Sequence, residues 1–312
     1  MPNLKNPVAP QELLAVAAAL KVGIFDALYQ KPATIDELAR DLSLDRRALW
    51  TVKEALVDLG YLTESDVLKL TPESIDLFYN EESENYLGYA IIHTFNVIKS
   101  WTGLPEVLKS GHPLPRERDK QDIKGFMAAM KRSAKEVVTE LVQICLAGLP
   151  REPKVLDIGG GPLNFARPFA RAGAVVTVQD VPEVCSVMEK TLLPGEKIKF
   201  VPGDFTKGIV AGDFDLIFLG NICHIYGPKE NKILFKRVFD SLVKGGRIAI
   251  LDFVRGISPR AALFGINMLV NTETGGTWTM DEYTSWLKEA GFCDIGLHNL
   301  SVRQIITASK EN

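Results

Sequence analysis

Apolar residues recur at helical spacing through the first part of the chain. Residues 12–29 carry leucine, isoleucine and alanine at steps of three or four, which predicts a helix over that range. The segment Thr-Ile-Asp-Glu at 34–37 has the pattern of a capping box, in which side chains satisfy free amides of a first helical turn. A second helix is expected over 45–59, and two short apolar segments within 61–70 predict a hairpin. Helix, turn, helix and hairpin together indicate a winged helix.

The pattern changes near the middle of the chain. Residues 75–148 are expected to be helical with two breaks, and the two prolines of segment 149–153 mark a boundary. Short apolar segments then alternate with helices, which is typical of an α/β fold with a mostly parallel sheet covered on both faces. The strand candidates are 154–158, 174–179, 198–201, 215–219, 247–253 and 303–308.

Composition narrows the class of protein. Apolar residues make up 46% of the chain and charged residues 24%, a balance that indicates a folded globular protein. The net charge of −3 gives no general attraction to nucleic acid or anionic lipid. The four cysteines lie far apart without metal-like spacing, so we expect reduced thiols and no bound metal. No secretory signal and no membrane-spanning stretch is evident, so we expect a cytoplasmic protein.

A glycine-rich turn follows the first strand of the second half. The sequence Val-Leu-Asp-Ile-Gly-Gly-Gly occupies 155–161, and its glycines allow a ligand to approach the backbone closely. Asp180 closes the next strand, 23 residues beyond Asp157, where a carboxylate suits a ribose diol. Two alternatives stay open, with Asp157 capping the glycine turn and Asp180 capping the helix that follows it.

Two later segments distinguish a nucleoside ligand from a dinucleotide. The segment Gly-Asp-Phe at 203–205 offers the carboxylate of Asp204 for an adenine amino group and the ring of Phe205 for its face. Packing in the core is the alternative role for Phe205. Paired glycines at 245–246 then lead into the next strand. Taken in order and at this spacing, these residues make the sequence resemble the class I S-adenosylmethionine-dependent methyltransferases.

That resemblance implies a Rossmann-like, seven-stranded, mostly parallel sheet and S-adenosylmethionine as the cofactor. The donor-binding residues that it implies are Asp157, Gly159, Gly161, Asp180, Asp204, Phe205 and Asn221. One position departs from the family, because its third motif glycine is Leu163 here.

A histidine and an aspartate follow two later strands at the same expected edge of the sheet. His224 lies a few residues past the strand 215–219, and Asp252 closes the neighbouring strand. A phenol has a pKa of about 10, so methyl transfer to its oxygen benefits from a nearby base. The positions predict His224 as a general base and Asp252 as the carboxylate that orients its imidazole. A structural hydrogen bond is the alternative role for His224.

The histidine segment narrows the resemblance to the O-methyltransferases with an N-terminal dimerisation domain, which include plant caffeate and flavonoid enzymes and bacterial relatives. Ile-Cys-His at 222–224 matches the general-base segment of that family. The resemblance implies a homodimer with a mainly helical winged-helix dimerisation domain at 1–100. It further implies a helical linker and acceptor-pocket roof at 101–150, and an S-adenosylmethionine-binding domain at 151–312.

Three positions depart from the plant enzymes. Their donor-binding lysine is Gly220 here, and the tryptophan that follows it is Asn221. Their second carboxylate corresponds to Trp278, and Glu273 lies nearby in sequence but is not aligned with it. An altered set of catalytic residues keeps transfer to carbon or nitrogen, by proximity alone, as the alternative to transfer to oxygen.

The methyl acceptor is expected to be a small, flat, apolar molecule. Aromatic and methionine side chains suit such a molecule and can face the sulfonium charge of the donor favourably. The expected substrate-binding residues are His93, Trp101, Phe126, Met127, Met130, Met268, Asn271 and Trp278. Packing within helices is the alternative role for these side chains.

Two functions from other classes of protein are alternatives to methyl transfer. A winged helix can bind DNA, but residues 31–70 carry six Lys/Arg against eight Asp/Glu, and phosphate neutralisation needs more basic residues. A nicotinamide dehydrogenase shares the first glycine turn, but the segment 203–205 has no role in that fold. We therefore expect no nucleic-acid partner.

Overall fold

A computed structural model describes residues 10–81, 83–115 and 138–311 of the chain. The chain divides into two compact units, one containing residues 10–99 and the other containing residues 100–115 and 138–311. Across these described ranges, no helix is both long and apolar enough to cross a membrane.

The first unit is mainly helical. Its elements are α1 (Gln11–Lys21), α2 (Ile24–Gln30), α3 (Ile35–Asp41), α4 (Arg46–Asp58), β1 (Leu62–Glu64), β2 (Leu68–Leu70), α5 (Pro72–Phe78) and α6 (Gly88–Trp101), whose last two residues belong to the second unit.

The predicted helix, turn, helix and hairpin pattern is confirmed. Thr34 and Glu37 form the expected capping box at the start of α3, with the Thr34 N–H donating to the Glu37 carboxylate at 2.8 Å. Strands β1 and β2 pair antiparallel, with Leu62 opposite Leu70. The single helix expected over 12–29 is wrong, because Gly23 adopts a left-handed conformation (φ 84°) and separates α1 from α2.

Apolar side chains of all these elements meet in one core. The ring of Phe25, which is fully buried, stacks on Phe78 with ring centroids 4.9 Å apart. Leu38, Leu56 and Leu68 from the winged-helix elements pack in the same cluster. The first unit therefore has a core of its own, as a separate domain requires.

The second unit is an α/β structure. Its elements are α7 (Leu104–Ser110), α8 (Val138–Leu146), β3 (Lys154–Ile158), α9 (Ala166–Arg171), β4 (Val175–Asp180), α10 (Pro182–Met188), β5 (Ile198–Pro202), β6 (Phe214–Gly220), α11 (Pro228–Ser241), β7 (Leu242–Asp252), α12 (Ala261–Asn271), α13 (Met280–Ala290), β8 (Cys293–Leu300) and β9 (Arg303–Ser309), with 3₁₀ turns at Glu189–Thr191 and Cys223–Ile225.

Seven strands form one sheet in the order β5-β4-β3-β6-β7-β9-β8. The first five of these are parallel, whereas β9 pairs antiparallel with β7 and β8 pairs antiparallel with β9. The expected seven-stranded, mostly parallel sheet is confirmed. Strand β8 was not among the strand candidates because its polar and glycine-containing sequence lies at the edge of the sheet, where few side chains are buried.

The sequence pattern predicted more helix over residues 75–148 than the described part of that range contains. The described residues between α5 and α6, 79–81 and 83–87, are not helical, although a helical pattern was expected through them. The part of the expected helical region at 116–137 lies outside the described residues. Described residues of the expected linker and roof segment, 101–115 and 138–150, lie in the second unit.

Buried strands bring the candidate site residues to one edge of the sheet. Most residues of β6, and residues 248–252 at the end of β7, are buried because helices cover both faces of the sheet. The parallel strands β3 to β7 point the same way, so the residues that follow them gather at the carboxyl edge, where open α/β sheets bind ligands.

Candidate active site

The glycine turn after β3 keeps side chains away from the carboxyl edge of the sheet. Gly159 and Gly161 both have positive φ, 64° and 41°, which favours glycine. A Cβ built on Gly159 would lie 2.5 Å from Cδ1 of Ile222, so a larger residue there requires the Ile222 side chain to move. A Cβ built on Gly161 would lie 3.7 Å from the Gly159 carbonyl oxygen and 3.9 Å from Oδ2 of Asp180, which are ordinary contact distances.

Leu163, at the position of the third motif glycine of the family, has a left-handed backbone. Its φ is 63°, and its side chain is buried. A non-glycine residue in this conformation carries a backbone cost of roughly 1 kcal/mol, which the buried side chain offsets by packing. The chain therefore has a conformation that favours glycine at this position, although the residue is leucine.

The Asp180 carboxylate is held by main-chain donors at the end of β4. The Gly161 N–H donates to Oδ2 at 2.9 Å and the Val181 N–H donates to Oδ1 at 2.8 Å. Burial raises the pKa of this carboxyl, and the two N–H donors oppose that rise. Each oxygen keeps a further lone pair, so the carboxylate can accept hydrogen bonds from a diol.

Asp157 is buried against the glycine turn. Its side chain lies close to Gly160, where a Cβ would come within 2.7 Å of Oδ2, and it accepts a hydrogen bond from the Ala166 N–H. Burial first, and the nearby Asp180 second, raise the pKa of Asp157 to about 8. One of its oxygens is buried without a hydrogen-bond partner. This geometry favours support of the turn over direct contact with a ligand.

Asp204 and Phe205 follow β5 beside the glycine turn. Oδ1 of Asp204 accepts from the Thr206 N–H at 2.9 Å and from its hydroxyl, and these bonds hold the pKa of Asp204 below its usual range. The Phe205 ring lies 3.7 Å from the position of a Cβ on Gly159. It packs edge-to-face with Tyr226, with centroids 5.9 Å apart. Sequence reasoning missed Tyr226, which adds a second aromatic wall.

Asn221 lies directly after β6 in a left-handed conformation, with φ 61°. Its side-chain oxygen accepts a hydrogen bond from Nη1 of Arg303 at 2.9 Å, and its N–H donates to the Leu251 carbonyl at 3.0 Å. These contacts fix the backbone where β6 ends, one turn before the histidine segment.

His224 and Asp252 contact each other at the ends of β6 and β7. The His224 Nδ1–H donates to Oδ1 of Asp252 at 2.6 Å, and both side chains are buried. The imidazole packs edge-to-face on Phe264, with centroids 4.8 Å apart. With Nδ1 donating to the carboxylate, Nε2 is the nitrogen left to accept a proton. The geometry thus suits a general base with an orienting carboxylate.

A second set of hydrogen bonds holds the 3₁₀ turn that carries His224. The Trp278 Nε1–H donates to the Cys223 carbonyl at 3.1 Å, and the amide of buried Asn231 donates to the same carbonyl at 2.9 Å. The Trp278 ring also packs edge-to-face on Trp286 at 5.5 Å. Trp278, expected to bind the acceptor, thus supports the histidine turn through its indole N–H.

Three of the expected acceptor residues lie along α12. The Trp101 Nε1–H donates to the side-chain oxygen of Asn267 at 3.1 Å, and the Asn271 amide donates to the Asn267 carbonyl at 2.8 Å. Met268 is buried on the same helix. Asn267, which joins Trp101 to Asn271, was missed because its role depends on a residue 166 positions away.

The remaining expected acceptor residues belong to the first unit or lie outside the described residues. His93 is half-buried on α6 in the first unit. Phe126, Met127 and Met130 lie outside the described residues. Glu273 forms an exposed ion pair with His112 at 3.1 Å and does not join His224.

The structure offers little support for the competing classes of ligand. Within the described residues, no group of three or more histidine, cysteine or acidic side chains is arranged to hold a metal ion. On α4, the helix that would read DNA, Lys53 is buried and pairs with Glu64 at 2.7 Å, while Arg46 pairs with Asp36. Two of the three basic side chains of that helix are therefore neutralised within the protein.

Comparison with known proteins decides the class. A family model for the O-methyltransferase domain matches residues 111–293. The chain belongs to the O-methyltransferase family. It is 27% identical over 304 residues to the tetracenomycin polyketide synthesis 8-O-methyl transferase TcmO of Streptomyces glaucescens, covering 90% of this chain and 88% of that protein.

A second relative is the S-adenosyl-L-methionine-dependent methyl transferase PigF of a Serratia species. It is 24% identical over 317 residues, covering 94% of this chain and 90% of that protein. A solved structure of PigF with SAH has the same fold, with a TM-score of 0.77 and 23% identity over 96% of each chain. The predicted class and cofactor are confirmed: this O-methyltransferase family member is an S-adenosylmethionine-dependent enzyme.

The residues after β3, β4 and β5 fit this methyl donor. The open space over Gly161 adjoins the Asp180 carboxylate, as a ribose requires. The half-exposed Asp204 carboxylate and the Phe205 and Tyr226 rings supply the polar and apolar contacts that suit an adenine. When bound, S-adenosylmethionine supplies an electrophilic methyl group on a sulfonium.

Proposed function

We propose that this enzyme transfers a methyl group to a hydroxyl oxygen of a small aromatic molecule, with His224 as the general base. The observation that carries this proposal is the 2.6 Å hydrogen bond between Nδ1 of His224 and Oδ1 of Asp252 at the carboxyl edge of the sheet. In the same proposal, Asp180 binds the donor ribose, and Asp204 and Phe205 bind its adenine.

His224 and Asp252 have separate roles in the proposed reaction. Asp252 fixes the tautomer of the imidazole, which leaves Nε2 to take the proton of the acceptor hydroxyl as its oxygen attacks. The negative charge of Asp252 stabilises the imidazolium that forms. Because both side chains are buried, bulk water competes weakly for these contacts.

A hydroxylated aromatic acceptor is supported by two observations. The TcmO relative is named as an 8-O-methyl transfer enzyme of tetracenomycin polyketide synthesis. Trp101, Met268 and Phe264 give the second unit apolar side chains around α12, and Phe264 touches the His224 ring directly. Flat apolar molecules bind well against such side chains.

The proposal is tested with a panel of phenols, naphthols and hydroxylated polycyclic aromatics and a donor with a radiolabelled methyl group. With the acceptor found, His224→Ala is expected to lower turnover about 10²–10⁴-fold, the range for a lost general base. Affinity for S-adenosylhomocysteine, measured by calorimetry, is expected to stay unchanged. His112→Ala removes an exposed histidine of the same unit and serves as the matched control.

Two results would contradict the proposal. The first is turnover of His224→Ala within about threefold of the wild type, far below the loss expected for a general base. The second is methyl transfer to amines or carbon nucleophiles with none to hydroxyls. Either result assigns the enzyme to transfer by proximity, in which the acceptor needs no base.

We further propose that the enzyme is a homodimer and that residues 1–100 form its dimerisation domain. The support is the family resemblance together with large apolar side chains exposed on the first unit, among them Val22, Tyr29 and Leu59. Light scattering of the full chain at micromolar concentration is expected to give the mass of two chains. A uniform monomer at that concentration would contradict the proposal.

A further inference from the structure

The oxygen of Asp252 that does not face His224 has a partner of its own. The Tyr283 hydroxyl donates to Oδ2 of Asp252 at 2.9 Å, while His224 donates to Oδ1 at 2.6 Å. The Phe253 N–H also donates to Oδ1 at 2.7 Å. Three donors therefore hold a carboxylate that is 1% exposed.

The position of Tyr283 is fixed by the start of α13. Thr279 and Glu282 form a capping box there, and the Tyr283 N–H donates to the Thr279 carbonyl at 3.1 Å. The ring is fully buried and packs against Phe235 on one side and Trp286 on the other. With its backbone and ring both held, the hydroxyl has little freedom to leave Asp252.

The buried hydroxyl of Tyr283 acts as a hydrogen-bond donor to Asp252. Burial, with the adjacent Asp252 carboxylate, raises the pKa of Tyr283 well above its usual value, so the hydroxyl keeps its proton at neutral pH. The buried thiol of Cys223, next to His224 in the chain, also contributes to the raised pKa of Tyr283. Besides Asp252, Cys223 and Tyr283, the titratable side chain that joins this cluster is His224.

We propose that Tyr283 is a positioning residue for methyl transfer. It holds the Asp252 carboxylate in the orientation in which Oδ1 accepts the hydrogen bond from His224. The inference rests on the proposed role of His224 as the general base. In this inference Tyr283 has no proton-transfer role, because its side chain is fully buried and its hydroxyl donates to Asp252.

Two effects follow from the hydrogen bond. Donors on both oxygens prevent rotation of the carboxylate about its Cβ–Cγ bond, which keeps the imidazole aligned. The hydroxyl also draws negative charge toward Oδ2, so less charge faces the imidazole at Oδ1. Removing the hydroxyl is therefore expected to stabilise the imidazolium further and to loosen its orientation.

Tyr283→Phe tests the inference because it removes the hydroxyl and keeps the ring. The full-length chain is labelled at histidine, and the His224 signal is identified by its loss in His224→Ala. Its NMR titration midpoint in Tyr283→Phe is expected to rise by about half a pH unit, a fraction of one neutral hydrogen bond. This measurement needs no knowledge of the acceptor.

Two control variants separate the hydrogen bond from packing. Trp286→Phe disturbs the packing of Tyr283 but keeps its hydroxyl, so it is expected to lower the unfolding temperature without moving the His224 midpoint. Tyr79→Phe removes a 2.7 Å tyrosine–aspartate hydrogen bond in the first unit and is expected to leave the midpoint unchanged. A midpoint that moves equally in Trp286→Phe and Tyr283→Phe would overturn the inference.

Activity gives the second readout. Tyr283→Phe is expected to lower kcat about 3–30-fold, less than loss of the base itself, with KM changed less than about twofold. The acid limb of its kcat–pH profile is expected to move to higher pH with the His224 midpoint. An unchanged midpoint and pH profile in Tyr283→Phe, with His224→Ala strongly impaired, overturns the role of Tyr283 alone. Full activity in His224→Ala overturns the proposed function itself.

Discussion

The two halves of the carboxyl edge are held together by different kinds of contact. After β4 and β5, the carboxylates of Asp180 and Asp204 accept hydrogen bonds from main-chain N–H groups one to nineteen positions away. After β6 and β7, Asp252 joins the side chains of His224 and Tyr283, which are 28 and 31 positions away. The proposed donor half, after β4 and β5, therefore depends on backbone conformation. The proposed catalytic half, after β6 and β7, depends on side chains from separate elements.

Asp252→Asn is the substitution expected to affect the catalytic half most. An amide has the size of the carboxylate but no charge, so it neither stabilises the imidazolium nor enforces its tautomer, and turnover is expected to fall about 10²–10⁴-fold. Steady-state kinetics with the acceptor measures this, and calorimetry with S-adenosylhomocysteine is expected to show unchanged donor affinity.

Asp215→Asn is the matched control for that substitution. Asp215 lies on β6, and its carboxylate accepts a hydrogen bond from the Lys154 N–H at 2.7 Å, away from the carboxyl edge. It is expected to leave turnover unchanged. Equal losses in Asp252→Asn and Asp215→Asn would show that the catalytic half responds to general destabilisation and not to the charge beside His224.

The same difference explains which parts of the site could be predicted from the sequence. The glycine turn and Asp180 could be predicted because their contacts lie within one strand, turn and strand unit, where spacing carries information. His224 and Asp252 were found from their places after strands, and the structure joins them. Tyr283 could not be found, because nothing in the pattern of α13 distinguishes a tyrosine that reaches Asp252 from one that fills the core.

Gly159→Ala tests whether backbone conformation governs the donor half. The new Cβ would meet Ile222, two residues before His224, at 2.5 Å on a backbone with φ 64°. Left-handed strain and overpacking together are expected to lower the free energy of unfolding by about 2–4 kcal/mol. Denaturant unfolding measures this loss.

Gly195→Ala supplies the reference for Gly159→Ala. Gly195 has a similar positive φ of 85°, but a Cβ there has no neighbour within 4 Å among the described residues. It is expected to show the strain alone, about 1–2 kcal/mol. If the two variants lose equal stability, the contact with Ile222 adds nothing, and the turn is less constrained than its geometry indicates.

Asp180→Ala has a smaller expected effect, on binding of the donor. Losing the carboxylate is expected to weaken the binding of S-adenosylhomocysteine by about 1–3 kcal/mol, the range for a hydrogen bond to a charged group. Calorimetry compares it with Glu183→Ala, which removes an exposed carboxylate on the next helix. Equal affinities in the wild type and Asp180→Ala would exclude Asp180 from the donor site.

The fold was predicted best where the side-chain pattern is repetitive and buried. The central strands could be predicted because helices cover both faces and most of the buried residues in these strands are apolar. Strand β8 was missed because one partner and an exposed face leave its sequence polar, and the break at Gly23 was missed because apolar spacing continues across it. Neither feature could be predicted from the pattern of apolar residues, because each depends on contacts or on a backbone conformation that only the folded chain defines.

Asp157 tests the electrostatics of the donor half through the pH dependence of stability. Its carboxyl is buried with one oxygen unpaired, and its pKa is raised to about 8, chiefly by burial. In the unfolded chain an aspartate ionises near pH 4. Between these two pH values the folded protein holds one proton more than the unfolded chain, so this group makes the protein less stable as pH rises.

Asp157→Asn removes that proton linkage and keeps the shape of the neutral carboxyl. The unfolding temperatures of variant and wild type are expected to lie close together near pH 5. From pH 5 toward pH 8 the variant is expected to gain stability over the wild type by up to about 1.4 kcal/mol per pH unit, the slope for one proton of difference between the folded and unfolded chains. Asp213→Asn, an exposed neighbour of β6, is expected to show no such trend. A difference between Asp157→Asn and wild type that stays flat from pH 5 to 8 would mean that Asp157 is ionised in the folded protein, and the glycine turn would then carry a buried charge beside Asp180.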